Sequence, residues 1–232
     1  MPLSYCAKIV HDYDYDRYLC TLFAPVHCRE AWLALFAFDH EIAAIGQTVS
    51  EEMVGFVKFA WWRDALDKIY TTQPAPQHPV VEELTRVIYA YRLPRTPFDA
   101  LLEARLQDLQ KEPFEHTQEV LSYGRETSGN IFRLCAIAAN MPFSALLENL
   151  GIVWALIDIL RADDDSQVEL LNLAKQHLAA PASKEYKQTK PFKPFLQRCE
   201  FRLQRLLQNT EDTNPYRLRL KLMFKLWLGS FV

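Results

Sequence analysis

Apolar residues recur along this chain at intervals of three and four, the spacing that lines one face of an α-helix. Between 29 and 47, Trp32, Leu35, Phe36, Ile42 and Ile45 keep that interval. Ser50, Glu51 and Glu52 read as the acidic start of a second helix, because carboxylates favour the positive end of the helix dipole. That helix carries Met53, Phe56, Val57, Ala60 and Trp61 on one stripe and is predicted to end near Tyr70. The stretch 71–79 holds Pro74, Pro76 and Pro79 and must be a connector, since proline lacks the amide hydrogen that a helix interior needs. Further helices are expected at about 79–92, 96–111, 117–139, 143–162, 166–180, 191–208 and 214–230, with ends placed to ~2–4 residues. Glycine is scarce, at 6 residues, and no run alternates Val, Ile and Thr between tight-turn dipeptides, so the fold class is all-α.

Composition narrows this picture. With 232 residues, 50% of them hydrophobic, the chain can bury one large core, and a single domain over 1–232 is expected. A net charge of −3 gives no electrostatic case for a nucleic-acid partner. Cys6, Cys20, Cys28, Cys135 and Cys199 are odd in number and form no Cys-x-x-Cys pair, which predicts free thiols in a reducing compartment. Asp12, Asp14 and Asp16 come too early for a secretory or transit peptide, and no apolar run is long enough to span a bilayer. The expectation is a soluble cytoplasmic protein or a trimmed mature chain. Asp12 and Asp16, one turn apart, are read as favouring a helix dipole rather than binding a metal.

Several blocks resemble the squalene/phytoene synthase family in the right order. Asp16-Arg17-Tyr18-Leu19, then Leu22-Phe23-Ala24-Pro25 and Arg29, looks like the family's opening helix. Arg29 through Ala37-Phe38 resembles its first signature helix, and Trp61-Trp62-Arg63-Asp64-Ala65-Leu66 with His78-Pro79-Val80 resembles a segment of bacterial members. Tyr123 through Ser128-Gly129 resembles the central block, and Leu150-Gly151 through Leu160-Arg161 the helix of the second aspartate motif. The resemblance implies the isoprenoid-synthase helical bundle, with a central cavity lined here by Phe36, Ile42, Ala43, Gly129, Phe132, Trp154 and Ile157.

Chemistry in such a cavity needs carboxylates one turn apart on two facing helices, because magnesium takes hard oxygen ligands and bridges them to diphosphate. The family pattern places its first carboxylates on Ala43, Ala44 and Gln47, and the outer aspartates of its second motif on Ala162 and Ser166. The metal motifs are therefore degraded, and no catalytic residue and no cofactor are expected. A second family glycine falls on Phe132, whose ring should point between the two signature helices near Ala43 and Ile157 and leave a pocket shorter than a C15 chain. The Gly-Arg-x-x-x-Pro segment that follows the second motif in the family is missing as well.

A residual site would draw on Arg17, His40, Glu41, Arg133, Asp158, Arg161 and Asp165, with Glu169 one turn beyond Asp165. Asp158 lies on the stripe of Leu147, Leu150 and Trp154, so a pairing with Arg161, Arg133 or His40 is expected of it. His40 reads as a packing residue, and no set of histidines and cysteines has ligand spacing.

Within the family the nearest resemblance is to the branch of the mitochondrial complex I assembly factor with a phytoene-synthase-like domain, through Phe38, Glu41, Ile42, Ala43 and Val49-Ser50-Glu51. It implies a non-catalytic protein that binds a respiratory-complex subunit at the inner face of a membrane. Two alternatives stand beside it. One is an active head-to-head prenyl diphosphate transferase using Mg2+, with Arg17, Arg29, Arg133 and Arg161 on diphosphate. The other is an isoprenoid or lipid carrier. At the C-terminus, Arg217, Lys221 and Lys225 with Leu220, Phe224, Trp227, Leu228 and Phe231 suit either peripheral membrane contact or a closing helix of the bundle.

Overall fold

The computed structural model describes residues 3–110, 114, 116–159, 168–178 and 189–208, and every regular element among them is helical. The N-terminal segment folds as two short helices, α1 (Tyr5–Tyr13) and α2 (Tyr15–Thr21). The break falls on Asp14, which leaves helical geometry at φ −136° and accepts the Arg17 amide on its side chain at 3.0 Å, the role of an N-cap. Asp16 then stands in the first turn of α2, where a carboxylate suits the dipole. Asp12 instead lies near the C-terminal end of α1 and bonds the His11 ring at 2.8 Å, so the dipole expectation fails for it.

A 3-10 turn, Val26–Cys28, leads into α3 (Arg29–Thr48), the central helix of the bundle. Residues 31 to 39 of α3 are buried all round, and it packs against α1, α2, α4 (Glu52–Tyr70), α5 (Pro79–Tyr91), α6 (Thr96–Leu106) and α8 (Asn130–Ala138). Trp32 ties α3 to α8 by donating its indole N–H to the Cys135 carbonyl at 2.8 Å. The other helices are α7 (Thr117–Gly124), α9 (Ala145–Ile159), α10 (Val168–Leu178) and α11 (Lys193–Gln208).

Two stretches depart from simple helix. The helix expected over 96–111 ends at Leu106 and tightens into a 3-10 turn, Gln107–Leu109. That turn lays Asp108 against α3 so closely that a Cβ on Gly46 would lie 2.7 Å from the Asp108 Cβ. The run expected over 117–139 is helical throughout but passes through a π turn, Arg125–Gly129, between α7 and α8. There α9 crosses backbone to backbone: a Cβ on Gly151 would lie 2.5 Å from the Gly129 Cα. Turns of this kind recur at functional sites.

On α4 the core face is Gly55, Phe59, Trp62, Ala65, Leu66 and Ile69. The stripe of Met53, Phe56, Val57, Ala60 and Trp61 points outward instead, with Met53 70% and Val57 63% exposed. The five cysteines are free and buried. No helix among the described residues is long and apolar enough to cross a membrane. Arg161, Ala162, Asp165 and Ser166, and the helix expected over 214–230, lie outside the described residues.

Candidate binding cleft

At the end of α3 the bundle opens into a cleft of about 1460 Å³ between α3, α4, α6, α7, the π turn and the last turn of α9. Ala43 and Gln47 face it from α3, one turn apart on the helix. Asp158 faces it from α9, Phe56 from α4 and Phe114 from beyond the 3-10 turn. Two of the three positions at which the family resemblance implies carboxylates therefore line this cleft as a methyl group and a neutral amide. Ala44 faces away, into a smaller groove between α3 and α4 that Glu41 also lines.

A buried ionic network forms its floor. Asp39 is 1% exposed and accepts from Arg17 Nη1 at 2.6 Å and Arg105 Nη2 at 3.1 Å. Arg17 reaches on to the Ser128 hydroxyl in the π turn at 3.1 Å. Arg105 donates to the Tyr123 hydroxyl at 2.6 Å, and Tyr123 in turn donates to Asp108 at 2.8 Å. Six elements, α2, α3, α6, the 3-10 turn, α7 and the π turn, are thus stitched together beneath the cleft. The Arg17 guanidinium also lies 5.1 Å from the Phe36 ring centre and 5.5 Å from that of Trp154, which compensates part of its lost hydration.

The titration of these groups follows from burial and pairing. Burial pulls the Asp39 carboxyl upward, but the Arg105 and Arg17 guanidiniums outweigh it and hold the group below the usual carboxylate range. Burial would lower Arg17 and Arg105; for Arg17 the carboxylates of Asp39, Asp14 and Asp158 win, for Arg105 those of Asp39 and Asp108 help to, so both stay charged. Asp108 is raised by burial, with Arg105 opposing. Asp14 is raised to about 6, first by burial and then by Asp158 and Asp16, against the pull of Arg17.

Other expected site residues lie elsewhere. Asp158 is solvent-exposed and pairs with Arg202 of α11 at 2.7 Å, not with Arg133 or His40, because the last turn of α9 leaves the core beside α11. Arg133 is exposed and covers the Phe143 ring at 4.6 Å. Arg29 donates to the Ala24 carbonyl at 2.7 Å and holds the preceding loop. His40 stacks on Tyr13 at 4.5 Å, and burial lowers its pKa.

Of the expected cavity-lining residues, only Ala43 borders the cleft. Phe36, Ile42, Phe132, Trp154 and Ile157 are packed core, and Gly129 is the contact point for α9. The Phe132 ring lies between α3 and α9, against Phe36, Trp154, Phe192 and Phe195 at 5.3–6.4 Å, and does not line the cleft. It fills core there and leaves the cleft open, so the expectation of an occluded pocket fails.

Asp39 and Arg105 are the residues missed. A signal for Asp39 was present: it lies seven residues after Trp32 and three before Ile42, a carboxylate inside an apolar stripe. A charge at such a position must find buried partners.

Magnesium diphosphate, which the family resemblance implies, does not fit the groups that the described residues bring to the cleft. Ala43 offers no oxygen, Gln47 only a neutral amide, Asp158 is held by Arg202, and Asp39 and Asp108 are held by arginine. Among the described residues no group of three His, Cys, Asp or Glu is placed to hold a metal ion.

The bundle, the cleft between its signature helices and the motif order define an isoprenoid-synthase type of fold. The chain belongs to the squalene/phytoene synthase family, whose model matches residues 10–166. Its fold is similar to a dehydrosqualene synthase, with TM-score 0.74 and 14% identity over 97% of this chain and 96% of that one. It is also similar to the squalene synthase HpnC of Alicyclobacillus acidocaldarius, with TM-score 0.58 and 18% identity over 97% and 88% of the two chains. In sequence it is similar to NADH dehydrogenase (ubiquinone) complex I, assembly factor 6, at 30% identity for Bos taurus and 28% for Homo sapiens over 130 residues. The matched part is 56% of this chain and 39% of each of those proteins, so the likeness covers less than half the length of these relatives.

Proposed function

We propose that this protein works by binding, as a non-catalytic assembly factor for a respiratory NADH dehydrogenase, with a subunit of that complex as its partner. The observation that supports the reading is the side-chain chemistry of the cleft: Ala43 and Gln47, the residues that the motif resemblance sets against magnesium ligands, line it with a methyl group and a neutral amide. The naming of similar proteins as complex I assembly factors supports the choice of partner. The action we assign is at the inner face of the membrane that carries the complex. A carrier role for an isoprenoid chain draws less support, since Glu103, Asp108, Glu119, Glu126 and Asp158 all line the cleft and would have to be desolvated by the chain.

The test is genetic and biochemical. Deleting the protein from its own host should reduce the amount of fully assembled NADH dehydrogenase on native gels, and the wild-type chain should restore it. Unchanged assembly after deletion would contradict the proposal.

A further inference from the structure

The outward stripe of α4 and the cleft are continuous. Phe56 belongs to both, lining the cleft while remaining 43% exposed. On its far side, Val57 and Trp61 border the smaller groove against α3, of about 370 Å³. Met53, Val54, Phe56, Val57 and Trp61 thus expose apolar surface on one helix, from 37% to 70% of each residue. Single exposed apolar residues are ordinary, but a contiguous set of large ones marks an interaction surface.

The charge lining the cleft beside this surface is mostly negative. The cleft is lined by the carboxylates of Glu103, Asp108, Glu119, Glu126 and Asp158 and by one guanidinium, Arg105. Arg105 is already committed to Asp39, Asp108 and Tyr123. Arg63 and Arg202 reach Glu103 and Asp158 from outside, and the carboxylates still outnumber the cations. From Glu51 to Asp64 the sequence has two cations, Lys58 and Arg63, against the carboxylates of Glu51, Glu52 and Asp64. An anionic membrane calls for clustered lysine and arginine around an apolar helix face, and here the flanking charge is acidic. The cleft also exceeds the range of about 300–1000 Å³ common for small-ligand pockets.

The geometry points to one occupant: a basic amphipathic helix of a partner protein. Its apolar side would lie on Met53, Phe56, Val57 and Trp61, and its lysines or arginines would face Glu103, Glu119, Glu126 and Asp158. This is the helix-in-groove mode of recognition, with register set by the apolar anchors and association speeded by opposite charge. The small Ala43 leaves the approach to the cleft clear at the place where the family pattern puts a carboxylate. The inference rests on the binding role proposed above and adds the chemistry of the partner.

The test uses the full chain and two designed helical peptides of equal length and apolar pattern, one of leucine and lysine, the other of leucine and glutamate, with binding followed by fluorescence anisotropy. The basic peptide should bind, and its affinity should fall about tenfold or more in each of two double variants, Glu103→Gln with Glu126→Gln and Met53→Ser with Val57→Ser. Raising the salt should weaken the wild type and have less effect on the carboxamide variant. Equal binding of both peptides, absence of binding, or binding indifferent to both double variants would overturn the proposal. So would vesicle binding or dimerisation that is lost in the Met53→Ser, Val57→Ser variant while peptide affinity is unchanged, because the stripe would then serve a membrane or a second copy. If deletion from the host impairs assembly and the peptide still does not bind, this inference fails and the assembly role stands.

Discussion

Asp39 shows how much one side chain holds in this protein. Its carboxylate neutralises two arginines from different helices, and those arginines also hold the π turn and Tyr123. Removing it would leave two buried guanidiniums with only the longer contacts to Asp14 and Asp108, each at 3.4 Å, and breaking a buried pair in this way costs about 3–5 kcal/mol. Asp39→Ala should therefore lower the Tm by about 6–20 °C in a thermal melt, at ~2–4 °C per kcal/mol for a domain of this size. Asp14 makes a prediction of a different kind. Its folded value of about 6 lies above that of an unfolded aspartate, about 3.9, so the native state holds this proton more tightly. Stability from that proton is full below the unfolded value and is lost as the pH rises through about 6. Asp39 has the opposite sign, since its depressed value gives stability above the unfolded pKa that is lost only in stronger acid. Asp14→Asn keeps an N-cap acceptor while removing the titration. Between about pH 4.5 and 7, its Tm should therefore fall less than that of the wild type, or rise relative to it.

At the scale of the element, periodicity located the helices but not which way each one faces. The first half of α4 is apolar nearly all round, so two stripes have helical spacing, and only tertiary packing decides that Phe59, Trp62, Leu66 and Ile69 go inside. The stripe left outside is then available for binding. Tertiary contacts also account for the π turn and the 3-10 turn: in both, backbone approaches backbone at glycine, and no local pattern announces a partner so distant in sequence. The crossing at Gly151 can be tested by its sign. Alanine in place of glycine within a helix gains about 1 kcal/mol from propensity alone. Here the new methyl would meet the Gly129 Cα at 2.5 Å, and backbone cannot step aside as a side chain can. Overpacking of this kind costs about 1–3 kcal/mol or more, so Gly151→Ala should lower the midpoint of urea unfolding where propensity alone would raise it.

For the whole molecule, the helical class and the family were legible from spacing and motif order, because both depend on residues near one another in sequence. The site was legible only in part. Of the seven residues expected to line the cavity, Ala43 borders the cleft; of the first-motif positions read from the alignment, Ala43 and Gln47 line it and Ala44 does not. The cleft's breadth, its acidic walls and the Arg17–Asp39–Arg105 floor were not legible, since each depends on residues brought together from several distant helices. Phe132 shows the limit of aligning one position at a time. Its ring was expected to block the cleft, but Trp154, Phe192 and Phe195 hold it in the core instead.

The role proposed for this fold and its cleft is binding without catalysis. The most direct measurement is diphosphate release from farnesyl or geranylgeranyl diphosphate by the purified full chain with magnesium, at enzyme concentrations high enough to detect a single turnover. The expected result is no release above that of buffer, because the cleft meets diphosphate with an acidic wall and, among the described residues, no group of three His, Cys, Asp or Glu is placed to hold a metal ion. Magnesium-dependent release of more than one equivalent, abolished by Asp158→Ala, would contradict it.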